Sequence, residues 1–424
     1  MSDNPYHPAP DDNQMAPFAG RQAEFTRFDH YLKDPVSQQA LAFLGRRWLG
    51  KTALLRRFDT AFGDSVIGAY FPLGNVDLES EASLLSAVVE GVGYYLTRRD
   101  VTTARIPQPK PGLTDWRSWM LDEWLPEIQR TLRTNRKLVL LFDDVQHWLA
   151  MEEASDSMTF FQQILSQNSQ IKLVLTLAAE NEDQLPLLSP LVNTADVMRL
   201  PHLSIGECTW LLRTPATGHF SVTDDGAAAV YQTTSGHPQL LQRFGHHLYN
   251  YAANHPAQPT ITPEIVKSLL PAIYRESNVE MTQVWQRSPD NQRLVLMAVS
   301  DLHYQDPLAK INTESVGEWA VESGYVLDRT GINAALRSLE YRELITLRGD
   351  HITLNSGLLQ MWLLDNARRM FAQQQGGTRR IRPALFAAGA LVVIVVIALI
   401  LSLSNTPQPA SSSNLAPTIT LAGE

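Results

Sequence analysis

The chain is poor in cysteine. Cys208 is the single one among 424 residues, so no intrachain disulfide can form and the chain is compatible with a reducing compartment. Cys208 lies in the amphipathic stretch Gly206–Leu212, where a structural thiol is expected. An excess of basic charge is also missing: 35 Lys and Arg face 44 Asp and Glu, a net charge of −9. That argues against nucleic-acid binding over the whole surface and leaves room only for a local basic face. The histidines form no metal set. His246-His247 has no Cys or carboxylate companion at ligand spacing and reads as a solvated helix face. No internal repeat of about 20–50 residues is visible. Residues 1–16 are polar and rich in Pro, Asp and Asn. They lack the apolar core of a signal peptide and read as a disordered leader.

What is present is length and apolar material: 424 residues give room for two or three domains, and the 44% that is hydrophobic is enough for real cores. One run is continuous. Ala384 to Leu401 carries no charge, and with Ser402 to Ser404 it reaches roughly 20 residues, or ~30 Å as a helix, enough to span a bilayer. Arg379, Arg380 and Arg382 precede it and no Lys or Arg follows. The positive-inside rule then puts the large N-terminal part in the cytoplasm and residues 405–424, rich in Pro, Ser and Thr, outside as a disordered tail.

The most specific motif is Gly45-Arg46-Arg47-Trp48-Leu49-Gly50-Lys51-Thr52. It fits G-x-x-x-x-G-K-[ST], the loop that cradles phosphates. An apolar run, Ala40–Leu44, enters it as a strand, and Thr52–Phe58 leaves it as a helix. Glycine lets the loop bend so that its N–H groups face an anion, and the helix N-terminus adds partial positive charge at the same place. Lys51 would reach the β- and γ-phosphates of ATP, and Thr52 would ligate Mg²⁺. Trp48 either covers the site or packs against the sheet.

A second motif is Lys137-Leu138-Val139-Leu140-Leu141-Phe142-Asp143-Asp144. Buried parallel strands have this composition, and ligands bind beyond their carboxyl ends. Asp143 would hold Mg²⁺, largely through water, and Asp144 would orient or deprotonate the attacking water.

Further strands are expected at Val66–Phe71, Lys172–Leu177 and Val197–Leu200, and helices at Glu24–Leu32, Ser83–Thr97, Thr114–Leu132 and Ser157–Gln167. Such alternation implies an α/β fold, a parallel sheet flanked by helices. From Ser204 the pattern turns helical, interrupted by Ser235-Gly236-His237-Pro238. Helices at Gln292–Val299, Val316–Ser323 and Ile332–Glu343, followed by the strand pair Leu344–Arg348 and His351–Leu354 around Gly349-Asp350, make a winged helix.

These parts together resemble a known family. Phe18-Ala19-Gly20-Arg21-Gln22-Ala23-Glu24 is similar to the F-x-G-R-x-x-E box of STAND-class ATPases, relatives of AAA+ proteins, and especially of their archaeal-type branch. Gly45–Phe58 is similar to that branch's G-R-R-x-x-G-K-T-x-L-L, and Gly236-His237-Pro238 to the G-x-P motif of the class. The resemblance covers residues 17–366. It implies a P-loop ATPase domain at 17–203, a helical lid at 204–284 and a winged helix at 285–366. A basic juxtamembrane linker at 367–383, a membrane span at 384–404 and the outer tail would follow. It also implies that ATP or ADP is held by Phe18, Gly45, Arg46, Arg47, Trp48, Leu49, Gly50, Lys51, Thr52, Ala53 and Pro238, with Phe18 and Ala19 near the adenine. Lys51, Asp143 and Asp144 would be catalytic, and Thr52 and Asp143 would hold Mg²⁺.

The sequence departs from the family in places. A membrane span occupies the position where relatives often carry a sensor array. After Ser189-Pro190-Leu191, where relatives often have an arginine, come Val192, Asn193 and Thr194; Arg199 is a poor substitute at a strand edge. The residue that senses the γ-phosphate should end the strand Lys172–Leu177. Thr176 is the nearest polar candidate, and it could equally face into the sheet.

The resemblance implies a membrane-anchored switch that hydrolyses ATP slowly and couples nucleotide state to homo-oligomerisation or an unidentified protein partner. A bacterial inner membrane fits it, with a C-terminally anchored organelle protein as the alternative. Two other readings remain: a non-hydrolysing ATP-binding scaffold, and a membrane-tethered DNA-binding regulator. For the latter the recognition helix offers Arg337 and Arg342, with Arg329 and Arg348 nearby, but also Glu340 and Glu343, a mixed surface rather than a basic stripe.

Overall fold

The computed structural model describes residues 4–8, 16–35, 37–132, 136–255 and 259–374. They divide into two compact units, the first ending at Ile273 and the second beginning at Tyr274.

The first unit is built on five parallel strands: β1 (Leu41–Gly45), β2 (Val66–Pro72), β3 (Lys137–Asp143), β4 (Ile171–Ala178) and β5 (Met198–Arg199), in the order β2-β3-β4-β1-β5. Each lies within one residue of its sequence-predicted ends. Continuous Val, Ile, Leu and Phe runs produce this arrangement because both sheet faces are covered. Successive residues of β3 serve opposite faces, as the pleat requires. Val139 and Leu141 join a core with Phe28, Phe43, Leu54 and Phe58 from the side of α1 (Gln22–Lys33) and α2 (Lys51–Ala61). Leu138, Leu140 and Phe142 join the other core, with residues of α3 (Glu81–Arg98), α4 (Trp116–Trp119), α5 (Leu125–Leu132), α6 (Gln146–Leu149) and α7 (Ala154–Gln167). A π turn, Met120–Trp124, joins α4 to α5. The stretch Ala179–Leu188 is an irregular 3₁₀ segment broken by a non-helical residue, Asn181, and carries no readable helical period.

The helical part of the first unit after β5 comprises α8 (Ile205–Arg213), α9 (Asp224–Thr234), α10 (Pro238–Ala253) and the first part of α11 (Pro263–Glu276). Ser204 and Glu207 form a reciprocal capping box on α8. A parallel pair of two-residue strands, β6 (Ser221–Val222) and β7 (Thr260–Ile261), also lies here; strands this short carry no readable period.

The second unit contains α12 (Asn278–Gln286), α13 (Asp290–Gln305), α14 (Thr313–Glu322), α15 (Arg329–Tyr341), the antiparallel pair β8 (Ile345–Arg348) and β9 (His351–Leu354), α16 (Gly357–Trp362) and α17 (Arg368–Gln374). The division falls upstream of residue 284. The indole of Trp285 in α12 lies 6.0 Å from Trp362 and 6.4 Å from Phe371, so α12 shares its core with the C-terminal helices. Residues 368–374, read as linker, are helical, with Phe371 buried. Arg342 is turned inward, donating to Ser288 Oγ at 3.0 Å and to Gln292 Oε1, while Arg337 is exposed.

Residues 4–8, which read in the sequence as part of a disordered leader, pack against α8 and α10, and Tyr6 is fully buried. The run 384–404, the tail 405–424 and residues 375–383 lie outside the described residues. Among those described, no helix is long and apolar enough to cross a membrane.

Phe142 is the hub of the second core, in edge contact with Phe71, Trp148 and Phe161 at 5.3–5.5 Å. Phe142→Ala is expected to destabilise the first unit by about 3–5 kcal/mol, measured from the midpoint of its denaturant transition. A loss below about 1 kcal/mol would mean that these rings repack freely.

Candidate functional site

β1 delivers the chain into the loop of residues 46–50, and α2 starts at Lys51. Two left-handed residues turn the loop: Trp48 at φ 64° and Gly50 at φ 87°. Gly50 tolerates this freely, whereas Trp48 carries a cost on the order of 1 kcal/mol. Trp48 is half-buried, with the Arg47 guanidinium 5.1 Å from its ring. Leu49 is buried, and Ala53 faces outward from α2. Lys51 is 7% exposed. Its Nζ donates to Gly45 O at 3.1 Å and Arg46 O at 3.4 Å, and lies 3.8 Å from Asp144 Oδ1.

Asp143 ends β3 and is 2% exposed. A carboxylate buried this deeply costs several kcal/mol unless its oxygens are satisfied. Three hydroxyls satisfy them. Thr52 Oγ1 donates to Oδ2 at 2.6 Å, Tyr70 Oη donates to the same oxygen at 2.9 Å, and Thr176 Oγ1 donates to Oδ1. Burial, and then the Asp143 charge, raise the Tyr70 phenol well above its usual pKa, so it remains a donor; the Arg56 guanidinium lies 4.9 Å from its ring. Thr176 also accepts from the Asp144 N–H at 2.9 Å. It is wholly buried at the end of β4, so its hydroxyl binds the two carboxylate residues to the sheet. Asp144 adopts φ 57°, and its side chain is 42% exposed. Thus Lys51, Thr52, Asp143, Asp144 and Thr176 converge at one point, the carboxyl ends of β1, β3 and β4.

Sequence reasoning missed the inward role of Arg21. This residue is 5% exposed, at φ 66°. Its guanidinium donates to Leu49 O in the loop and to Pro201 O beyond β5, each at 2.8 Å, and pairs with the buried Glu24 at 3.4 Å. The F-x-G-R-x-x-E box thereby clamps the outer half of the loop to the segment between β5 and α8. The signal was there, an Arg and a Glu three apart at a helix start, but spacing does not say what an arginine holds. Phe18 packs edge-on against Phe25, with the Arg57 guanidinium 4.7 Å from its ring.

Pro238 is the first residue of α10 and His237 its N-cap. Gly236 must be glycine: at φ 72°, a Cβ would fall 2.0 Å from Leu203 O. The rings of His237 and His202 meet edge to face at 5.5 Å. Burial, then the charge of Arg46, holds His202 down to about 4; the same influences and His202 itself hold His237 well below its usual value. Arg199, weighed as a donor to a neighbouring subunit, is paired with Glu182 of its own chain.

Two expectations follow. Arg21→Met leaves Glu24 buried without its cation and should cost about 3 kcal/mol. Arg21→Met with Glu24→Gln should recover most of that in thermal unfolding, and no recovery would dissolve the clamp. His202 has a folded-state pKa of about 4, below its ordinary 6.5. Its contribution to stability is therefore complete above about pH 6.5 and is lost as pH falls toward 4. His202→Gln should flatten the stability profile across that window; an unchanged slope would refute it.

No protein-family model matches the chain, and no curated protein matches it. Solved structures do. The Walker-type ATPase PABY2304 of Pyrococcus abyssi matches with a TM-score of 0.55 at 15% identity, over 82% of this chain and 96% of that one. Cdc6p from Pyrobaculum aerophilum matches at 0.42 and 16% identity, over 87% and 99%. The Aeropyrum pernix Orc1 protein, in complex with DNA, matches at 0.40 and 17% identity, over 86% and 97%. The likeness to PABY2304, with the five-stranded parallel sheet and its loop, gives the first unit a P-loop-type α/β fold.

Proposed function

We propose that the chain is a membrane-anchored, ATP-binding switch of the STAND type that hydrolyses ATP slowly and couples nucleotide state to self-association or a protein partner. The observation that carries this reading is the contact between Thr52 and Asp143 at 2.6 Å, with Lys51 beside Asp144. A phosphate-loop hydroxyl and a strand-end carboxylate from distant parts of the chain meet where the ligand of an open parallel sheet binds.

The residues present fit Mg²⁺. Thr52 and Asp143 offer hard oxygens, and this ion needs few protein ligands because it keeps water and phosphate oxygens around it. Bound there, Mg²⁺ would neutralise charge on the β- and γ-phosphates. Lys51 and the N–H groups of the loop from Gly45 to Ala53 hold and stabilise the phosphoryl oxygens. Asp144, the accessible carboxylate, orients or deprotonates water. The start of α10, at His237 and Pro238, senses the nucleotide in this reading, and the Arg46 charge acting on both His202 and His237 supports it. In this reading α13–α15 with β8 and β9 form a winged helix that packs rather than binds DNA, in keeping with the inward Arg342. Residues 384–404 supply the anchor, with the ATPase on the cytoplasmic side of a bacterial inner membrane.

A scaffold that binds ATP without hydrolysing it is the second reading. It is favoured by Thr176, whose hydroxyl is given to Asp143, and by Arg199, which is held by Glu182.

The test is nucleotide content and ATP turnover of the full-length chain in detergent, beside Lys51→Ala and Asp144→Asn. Lys51→Ala should abolish tight binding, and binding left intact would sink the assignment. Asp144→Asn should keep binding while slowing turnover about 10²–10⁴-fold. A wild-type chain that binds ATP with no turnover selects the scaffold.

A further inference from the structure

Asn4–Pro8 belongs to no helix or strand, yet it is built into the lid. Tyr6 is 0% exposed. Its ring lies on Gly245 in the middle of α10, where an added Cβ would fall 2.2 Å from Cδ1. Its hydroxyl donates to Leu211 O at 3.1 Å and Leu212 O at 3.0 Å. Both carbonyls are in the last turn of α8, where helices leave their acceptors unmet. Tyr6 therefore caps one lid helix with its hydroxyl and fills a socket in another with its ring.

The rest of the segment is read through its backbone. Gln239, Gln242, His246 and Asn250 follow one another along one face of α10 at helical spacing. Gln239 donates to Pro8 O, and Gln242 donates to Pro17 O at 2.7 Å. His246 Nδ1 lies 3.2 Å from Tyr6 O, and Asn4 Nδ2 donates to Asn250 Oδ1 at 3.1 Å and to His246 O at 3.1 Å. His246, expected on a solvated face, thus belongs to a peptide-reading row. Pro17 runs directly into Phe18–Glu24, whose Arg21 holds the phosphate loop. One helix face therefore grips the chain at two points, residues 4–8 and residue 17, and the second leads into the clamp on the candidate nucleotide site.

We propose that the face shared by α8 and α10 is a peptide-binding groove whose resident ligand is the chain's own N-terminal segment, and that this segment is a latch on the lid. Tyr6 holds α8 against α10, and Gln242 of α10 holds Pro17 beside the clamp on the phosphate loop. The segment must therefore leave before α8 and α10 can shift against each other, and in doing so it sets the rate of nucleotide exchange. The rate claim rests on the nucleotide reading above; the docking claim does not.

The test uses the full-length chain in detergent with four variants: Tyr6→Ser, Tyr6→Phe, Gly245→Ala, and Tyr6→Ser with Gly245→Ala. Release of a fluorescent ADP is followed by stopped flow, and backbone protection of α10 by hydrogen exchange. Tyr6→Ser should speed ADP release about ten-fold or more through loss of the buried ring and its hydrogen bonds, and Tyr6→Phe by a smaller factor. Gly245→Ala should reproduce the effect of Tyr6→Ser. It should also reverse sign: alanine favours a helix interior, so it should lower the unfolding midpoint when Tyr6 is present and raise it on the Tyr6→Ser background. A destabilised lid alone would not produce that reversal. Unchanged α10 protection in Tyr6→Ser overturns the docking. Lost protection with unchanged ADP release overturns the latch. A wild-type chain that binds no ADP is a different result: it removes the nucleotide reading and the rate claim, and leaves the groove to be judged by exchange and the midpoint reversal.

Discussion

Everything at the candidate site depends on one buried negative charge. The Asp143 carboxylate sits almost out of water at the carboxyl end of the sheet, where an unsatisfied charge could not persist. The strand order explains how it is satisfied. β3 lies between β2 and β4, so Tyr70 reaches it from one neighbour and Thr176 from the other. β1 lies beyond β4, and the helix that follows β1 delivers Thr52 to the same carboxylate. Three separate segments thus register on a single acceptor. The phosphate loop is fixed from its helical end by this contact and from its outer end by Arg21 through Leu49 O.

The strands and the loop were legible because their signals are local. Unbroken apolar runs bounded by turns mark buried parallel strands, and a glycine-rich loop between strand and helix has a narrow pattern. Asp143 was legible for the same reason, as the polar end of such a run. Tyr70 was not: a tyrosine near a strand end is ordinary, and only the pairing of β2 with β3 brings its hydroxyl to Asp143. The division between the two units at Ile273 leaves no mark in the sequence, because α12 follows α11 with almost no linker and composition does not reveal that Trp285 packs toward Trp362. Tyr6 was hidden by its neighbours. Short polar, proline-rich sequence reads as disorder, and a single aromatic residue with a socket elsewhere in the chain leaves no periodic trace.

Backbone strain gathers where these parts meet. Among the described residues, six that are not glycine have positive φ, and Arg21, Trp48, Asp144 and Ser235 are four of them. They occupy the box, the loop, the strand end and the turn before α10. Such conformations persist when the surroundings over-determine them. Here the surroundings are the hydroxyls on Asp143, the carbonyls on Arg21 and the close approach of Gly236 to Leu203. Rigidity at the site is therefore a property of its second layer, in which each ligand-facing residue is held by a partner from another element.

The strand order also constrains how the molecule is made. β1, which leads into the phosphate loop, has no hydrogen-bonded neighbour among the strands nearest it in sequence; its partners are β4 and β5, near the end of the sheet-forming region. The strand that leads into the loop therefore cannot pair until β4 has been synthesised. β2 and β3 can pair earlier, leaving an apolar edge on β3 for β4 to cover. Until then β1 is an unpaired, wholly apolar strand, and non-local closures of this kind fold slowly and aggregate readily.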